Sequence, residues 1–189
     1  WLKRVPAALW SPSLLPVVHL FAMAEEETSW DKTIEEWLLA DNVCYAGALA
    51  QAADFAFYAA APVEGEAGWG FVYKEDHEED VLQDDMSTKK KTINEATCLM
   101  EAVNKGRAPD GGFWLGGLKY QITQYEPEFE IGDNKFVCVI AARPKKGVHI
   151  VSTGSQVIAG FFDEEKGQTS GNCRKVVTAF AEYLKGIGY

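Results

Sequence analysis

Two stretches in the second half of the chain constrain the fold most, because their apolar residues are almost continuous. The segments KFVCVIAAR (135–143) and VHIVS (148–152) lack the strict alternation of a strand that has one face in water. Such runs are typical of central strands that are covered on both faces. Any fold for this chain must therefore place further elements on each side of these strands.

Helical patterns near both ends can supply that cover. The segment ETSWDKTIEEWLLADN (27–42) has apolar residues at the 3.6-residue period, and Thr28 or Ser29 can cap its start. The segment GNCRKVVTAFAEYLKGIGY (171–189) has an apolar side and closes the chain. We therefore predict one helix near each end.

A third helix is predicted over TINEATCLMEAVNKG (92–106). Thr92 and Glu95 have the spacing of a capping box, and Gly106 stands where a C-terminal cap belongs. Short strands with turn residues between them fill most of the remaining chain. The order helix, strands, helix, strands, helix indicates an α+β domain with an antiparallel sheet.

The segment from 73 to 92 has unusual charge patterning. An acidic block is followed by a polar tip and then by the basic block Lys89, Lys90 and Lys91. Opposite charges on either side of a tip suit a hairpin with cross-strand pairing. A disordered acidic loop has the same composition, so both interpretations stay open.

The length of the chain indicates one domain, and its net charge limits the class of partner that it can bind. The chain has 189 residues and a formal net charge of −10. That charge argues against nucleic acid as a partner, because such binding needs basic surface. Residues 1–22 are basic and then apolar, with three prolines, and we expect a non-native or signal-like extension outside the fold. The predicted domain covers 23–189.

The residues expected in an enzyme or a metal site do not form a convincing group. The four cysteines are far apart in sequence and lie among apolar neighbours, so we expect buried free thiols in a reducing cytosol. His149 lies in a predicted strand and is more typical of a structural histidine than of a catalyst. The chain has no nucleophile elbow, Walker lysine or dinucleotide-binding fingerprint. We therefore predict a protein that is not an enzyme and needs no cofactor or metal.

Aromatic residues near the chain ends suggest a binding surface instead. If the terminal helices pack antiparallel, Trp30 meets Tyr183 and Tyr189, and Tyr58 in the second strand can reach the same edge. Exposed Trp and Tyr side chains can bind a polyproline II ligand through ring contacts and hydrogen bonds to its free carbonyl groups. The alternative is that these rings only cover the core.

Three segments together resemble the profilin family, whose members bind monomeric actin. They are SWDKTIEEWLLA (29–40), APDGGFWLGGLKYQI (108–122) and FFDEEKGQTSGNCRKVVTAFAEYLKGIGY (161–189). The inserted YKEDHEED and the later DEEK resemble the profilins of apicomplexan parasites more narrowly. The resemblance implies a central antiparallel sheet of six to seven strands. The N- and C-terminal helices would pack on one face and further helices on the other, with a charged hairpin inserted.

The resemblance also implies a site for proline-rich proteins such as formins. The matching positions are Trp30, Tyr58, Tyr183, Leu184 and Tyr189. Thr33 stands where many profilins carry another aromatic residue, which removes one stacking plane. Trp37 is expected on the core side and is not expected to replace that plane.

The implied actin surface carries basic residues that suit an acidic partner. The matching positions are Lys119, Arg143, Lys145, Thr169, Gly171, Arg174 and Lys175, and Thr169 replaces a histidine that is frequent in the family. The acidic hairpin would add contacts from Asp76, Glu78, Glu79 and Asp80.

Further partners and a location follow from the same resemblance. It implies weak phosphoinositide binding, recognition by a host toll-like receptor, and a place in the cytoplasm with the cytoskeleton. A sensory or trafficking domain that binds a small molecule or peptide is the alternative, and it predicts a buried pocket in the sheet.

Overall fold

The computed structural model describes residues 29–82 and 86–189. The predicted extension 1–22 and the alternative cap Thr28 lie outside these ranges. The helices are α1 (Trp30–Ile34), α2 (Ala67–Val72), α3 (Glu95–Lys105) and α4 (Ser170–Gly186), and a π-helical turn (Glu35–Leu39) continues α1. Short 3₁₀ turns cover Ala40–Asn42, Glu64–Glu66 and Glu164–Lys166. The strands are β1 (Ala46–Gln51), β2 (Phe57–Ala61), β3 (His77–Leu82), β4 (Thr88–Ile93), β5 (Phe113–Leu115), β6 (Leu118–Ile131), β7 (Asn134–Arg143), β8 (Lys146–Ser152) and β9 (Gln156–Asp163).

Seven strands form one antiparallel sheet in the order β2-β1-β9-β8-β7-β6-β5. The apolar runs 135–143 and 148–152 fall in β7 and β8, which are central or next to central. All eight residues of β9 are buried, and so are six of the seven residues of β8. Strand β8 is therefore covered on both faces, as its sequence predicts, whereas Val137, Ile140 and Ala142 of β7 are only half-buried.

The two terminal helices pack on one face of the sheet. They lie directly above the cross-strand pair of Gly47 and Gly160. A Cβ atom at Gly47 would lie 2.7 Å from Leu38 Cδ1, and a Cβ atom at Gly160 would collide with Val177. Glycine at both positions therefore lets the helices approach the sheet closely.

The other face is covered by α2 and α3. Leu99, Ala102 and Val103 of α3 and Val72 of α2 belong to a buried cluster with residues of β1, β5, β7, β8 and β9. The predicted α+β fold, with terminal helices on one face and further helices on the other, is confirmed. Within residues 29–82 and 86–189, no helix has the length and apolar character needed to cross a membrane.

The predicted start of α3 is wrong, whereas its predicted end is confirmed. Asn94 is the cap, because its Oδ1 accepts a hydrogen bond from the Thr97 N–H at 2.7 Å. Thr92 lies two residues earlier in β4 and pairs with Glu78. Gly106 ends the helix in the left-handed conformation, with φ at 64°.

The inserted charged segment forms a hairpin of β3 and β4 in its described part. Glu79 pairs with Lys91 and Asp80 with Lys90 across the ladder, so the acidic and basic blocks face each other. The hairpin interpretation is therefore confirmed over the disordered loop.

A buried carboxylate fixes the base of this hairpin to the main sheet. Glu95 is only 1% exposed and accepts hydrogen bonds from the backbone N–H groups of Lys74, Gly116 and Gly117 at 2.9, 2.9 and 2.7 Å. Lys74 precedes β3, and the two glycines form the turn between β5 and β6. Burial raises the pKa of Glu95, and the three N–H donors oppose that rise.

All four cysteines are buried and free, as predicted. Cys44 and Cys173 lie on the face of the sheet that the terminal helices cover, with their Sγ atoms 3.3 Å apart. The hydrogen bond to Cys44 and burial hold the pKa of Cys173 well above its usual range. Cys173 is therefore a poor nucleophile.

Candidate ligand-binding surfaces

The last residue of the chain contacts the first described helix. The rings of Trp30 and Tyr189 meet edge to face, with centroids 5.1 Å apart and planes at 72°. The Tyr189 N–H donates to the Leu184 carbonyl at 2.9 Å, and Gly188 adopts φ of 95° just before it. This turn, which favours glycine, folds the chain end back over α1.

Tyr58 lies beside this pair on the edge strand β2. Its hydroxyl donates a hydrogen bond to Gln156 Oε1 at 2.9 Å, and its ring is half-buried. Burial first, and then the nearby Tyr189 phenol, raise the pKa of Tyr58 to about 12. Tyr58 is therefore a neutral hydroxyl at physiological pH, close to the end of α4.

A second aromatic contact joins the same two helices. Trp37 stacks on Tyr183 with centroids 4.9 Å apart and planes at 26°, and on Phe180 at 5.4 Å and 29°. Phe180 is fully buried, so Trp37 does pack toward the core as expected. However, Trp37 is itself only half-buried, and its other stacking partner, Tyr183, is exposed.

We call Trp30, Tyr58, Tyr189, Trp37 and Tyr183 the aromatic surface. Tyr183 and Tyr189 are each 40% exposed, so the surface is open to a ligand. Leu184 has no exposed area and can only support the rings from beneath. The Thr33 hydroxyl donates a hydrogen bond to the Ser29 carbonyl at 3.3 Å. Thr33 therefore places no aromatic ring between the two tryptophans.

The predicted basic residues gather at the strand ends next to the start of α4. Lys119 is the second residue of β6, Arg143 ends β7, and Lys145 lies in the turn to β8. The Lys145 carbonyl accepts a hydrogen bond from the Glu164 N–H at 2.8 Å, which ties this turn to the turn before α4. Thr169 caps α4, because its Oγ1 accepts from the Asn172 N–H at 3.2 Å.

Only some of these cations are already paired with acids. Arg174 bonds Glu126 at 3.0 Å and lies 4.9 Å from the Phe129 ring, and Lys145 bonds Glu165 at 2.7 Å. Lys119, Arg143 and Lys175 are exposed and make no ion pair within the described ranges. Gly171 is also exposed, in the first turn of α4. These residues form a basic surface at the opposite end of α4 from Tyr183.

Most acidic hairpin residues have partners close by. Asp76 Oδ1 accepts from the Asn94 side chain at 2.8 Å. Glu78 pairs with Lys90 and Glu79 with Lys74, each at 3.6 Å. Asp80 is exposed opposite Lys90 in the ladder. The hairpin therefore presents alternating charge rather than a purely acidic face.

His149 has a structural environment. It is 1% exposed, and its Nε2 lies 2.9 Å from Ser170 Oγ at the start of α4. Its buried Nδ1 has no hydrogen-bond partner within the described ranges. Burial mainly, and the nearby Arg174 charge, lower the pKa of His149 to about 4.

A seven-stranded antiparallel sheet with terminal helices on one face and further helices on the other defines the profilin fold. Solved structures agree: profilin IB of Acanthamoeba castellanii matches with a TM-score of 0.57 and 21% identity, over 85% of this chain and 100% of that one. The profilin of Schizosaccharomyces pombe matches with a TM-score of 0.56 and 20% identity, over the same shares of the two chains. At such identities these two structures show the fold alone.

Sequence relatives identify the family. The profilin family model matches residues 28–189. A profilin of Plasmodium falciparum is 36% identical over 166 residues, which is 84% of this chain and 96% of that protein. A Plasmodium berghei profilin is 34% identical over 84% of this chain and 94% of that protein. The chain belongs to the profilin family, a family of actin-binding cytoskeletal regulators that are not known as enzymes.

Proposed function

We propose that this protein binds an actin monomer on its basic surface and a proline-rich segment, such as one from a formin, on its aromatic surface. It thereby delivers monomers to filament ends or sequesters them, in the cytoplasm. Holding both partners on one small domain raises their effective concentration, so neither contact has to be strong. Membership of the profilin family argues against the alternative of a sensory or trafficking domain.

The observation that carries the proline-rich site is the contact between Trp30 and Tyr189. It brings two partly exposed rings from opposite ends of the described chain together beside Tyr58. A polyproline II ligand is already extended and has unpaired carbonyl groups, so rings and polar hydrogens can bind it at little entropic cost. Indole N–H and phenol O–H groups supply those donors.

The first prediction is that octaproline binds and changes the intrinsic tryptophan fluorescence. Trp30→Ala and Tyr189→Ala each remove one ring of the central pair, and we expect each to weaken binding by at least about ten-fold. Trp69→Ala is the control, because Trp69 is similarly exposed but lies in α2 on the other face of the sheet. Absence of saturable binding to the native protein, or equal loss in the Trp69 variant, would contradict the proposal.

The other interactions are proposed from the basic surface and the hairpin. Lys145 and Arg174 already have carboxylate partners, so we expect only weak binding of phosphoinositide head groups.

Asp80 and the other hairpin acids are proposed as additional actin contacts. For a host toll-like receptor, the exposed hairpin and the exposed 3₁₀ turn Glu164–Lys166 are the proposed contact regions.

A further inference from the structure

The face of the sheet opposite the aromatic surface carries an apolar cavity that neither proposed surface uses. The cavity lies between the start of β2, helix α2 and helix α3, and its volume is about 180 Å³. Its lining residues are Ala56, Phe57, Trp69, Tyr73 and Ala96. Small-molecule sites usually occupy about 300 to 1,000 Å³. This cavity therefore has the size for one inserted side chain rather than for a whole small molecule.

The packing of α2 on the sheet fixes the walls of this cavity. A Cβ atom at Gly68 would lie 2.6 Å from the Ala61 backbone, so glycine there lets α2 lie directly on β2. Tyr73 packs against Phe57, with ring centroids 6.5 Å apart. Trp69, by contrast, is 36% exposed, although tryptophan is usually largely buried. The fold therefore leaves this large apolar ring at the surface, beside the cavity.

The apolar surface continues along α3. Met100 lies four residues after Ala96, so the two side chains are neighbours on the same side of that helix, and Met100 is 37% exposed. Methionine adapts to ligands of different shape and is frequent in surfaces that bind several partners. We call Phe57, Trp69, Tyr73, Ala96 and Met100 the α2–α3 groove. A helical ligand with apolar residues three or four positions apart reaches both the cavity and Met100.

Acidic residues lie beside this groove. Asp54 Oδ1 accepts a hydrogen bond at 2.9 Å from the N–H of Ala56, which lines the cavity. Glu66 lies at the start of α2, three residues before Trp69. Asp54 and Glu66 are both exposed, and among residues 29–82 and 86–189 neither makes an ion pair. Both carboxylates are therefore available to a cationic partner.

Further carboxylates lie near Tyr73. Burial first, and then the nearby carboxylates of Asp76, Glu95 and Glu75, raise the pKa of the Tyr73 phenol. The adjacent Lys74 is already paired with a hairpin carboxylate at 3.6 Å. The groove is therefore apolar at its centre and negatively charged at its edge, which suits a partner of the opposite charge.

We propose that the α2–α3 groove binds a basic amphipathic helix of a partner protein, which inserts one apolar side chain between Trp69 and Tyr73. Lysine or arginine residues on either side of that anchor face the acidic edge, and an apolar residue one helical turn away contacts Met100. The groove and the aromatic surface lie on opposite faces of the sheet, so this partner and a proline-rich segment bind at the same time. The inference does not depend on the proposed binding of actin or of proline-rich segments.

Titration with a designed helical peptide tests this class of partner. The peptide carries leucines on one side of the helix, lysines on the other, and a fluorescent label. We expect saturable binding to the native protein and a loss of affinity of at least about ten-fold in Trp69→Ala, as for a central anchor contact. Phe71→Ala is the matched control, because Phe71 is 40% exposed on the same helix but packs against Tyr45. It should leave the affinity unchanged.

Two further measurements separate the groove from non-specific attraction to an acidic protein. Ala96→Lys adds length and positive charge inside the groove and should also weaken binding by at least about ten-fold, whereas a peptide with glutamates in place of the lysines should not bind. In a nitrogen-15 spectrum, the indole signal of Trp69 should shift when the basic peptide binds, and that of Trp30 should not.

Several outcomes would overturn the proposal. The native protein might as a first case show no saturable binding of the basic peptide, or Trp69→Ala and Phe71→Ala could have equal affinities for it. A shift of the Trp30 indole signal without a shift of the Trp69 signal would place the peptide on the aromatic surface instead. If sedimentation of the protein alone shows a dimer that Trp69→Ala dissociates, the groove binds a second copy of this chain rather than a basic helix.

Discussion

His149 shows at the scale of one residue how burial couples protonation to stability. It lies in the central strand β8, where Ser170 is its hydrogen-bond partner and Phe162 is its aromatic neighbour. Arg174 lies close enough to add an unfavourable positive charge. The folded protein therefore holds this imidazole neutral, which explains its place in a strand without any catalytic role.

This environment predicts a loss of stability in mild acid. The unfolded chain protonates His149 near pH 6.5, whereas the folded protein resists protonation until about pH 4. The unfolded state thus binds more protons in this window, and the free energy of unfolding falls as pH falls, by on the order of 3 kcal/mol from this group. Urea unfolding of the native protein and of His149→Gln at pH 7 and pH 4.5 measures the effect.

The His149→Gln variant controls for the protonation of every other group, because the carboxylates are the same in both proteins. We expect His149→Gln to be less stable at pH 7 and to lose less of its stability on acidification. Parallel stability curves for the two proteins between pH 7 and pH 4.5 would show that His149 is not held neutral.

At the scale of elements, a buried carboxylate helps to attach the hairpin of β3 and β4 to the main sheet. Ile93 of β4 packs in the core and His77 of β3 contacts Trp114, and Glu95 adds hydrogen bonds to Lys74 and to the Gly116–Gly117 turn. The same turn leads into β6 and Lys119. Glu95 therefore positions the acidic hairpin relative to the basic surface.

We predict that Glu95→Gln loosens this attachment. The amide places an N–H₂ group against backbone N–H donors, so at least one hydrogen bond to a charged acceptor is lost, at a cost of about 2 kcal/mol. Hydrogen exchange should speed up at Lys74, Gly116 and Gly117 and remain unchanged in the ladder between β3 and β4. Glu101→Gln, at a half-buried position elsewhere on α3, is the control and should leave these amides protected. Unchanged exchange in Glu95→Gln would contradict the proposed attachment.

Elements differ in how far their sequences predict them. The near-continuous apolar runs predict β7 and β8 because burial on both faces leaves a local signal. The hairpin could not be separated from a disordered loop, since charge composition is the same in both. The start of α3 was misplaced because Asn94 competes with Thr92 as a cap and β4 continues to Ile93. Helix α2 contains two glycines and depends on tertiary packing of Gly68 against the Ala61 backbone.

The aromatic surface was only partly predictable for a similar reason. Trp30, Tyr58, Tyr183 and Tyr189 were predicted from the aromatic residues near the chain ends and again from the family resemblance, but Trp37 was expected only in the core. Its seven-residue spacing from Trp30 was a usable signal, because two helical turns return a side chain to nearly the same side. The π-helical turn Glu35–Leu39 and the stacking partner Tyr183 could be identified only from the structure.

At the scale of the whole molecule, α4 separates the two proposed surfaces. Thr169, Arg174 and Lys175 lie at its start, and Tyr183 lies near its end. Along this helix, Tyr183 lies about 12 Å from Lys175 and about 21 Å from Thr169. The two proposed surfaces therefore share no residue, and any energetic coupling between their partners must be reciprocal.

The final prediction is therefore that actin and octaproline bind independently. Saturating octaproline should change the dissociation constant for monomeric actin by less than about two-fold, because the expected coupling is small.

Two variants should show opposite effects. Lys175→Glu reverses an exposed charge on the basic surface and should weaken actin binding about ten-fold without affecting octaproline, since rim charges act on their own interface. Trp30→Ala should weaken octaproline binding without affecting actin. Displacement of actin by octaproline, or loss of both activities in either variant, would place the two partners on one overlapping surface.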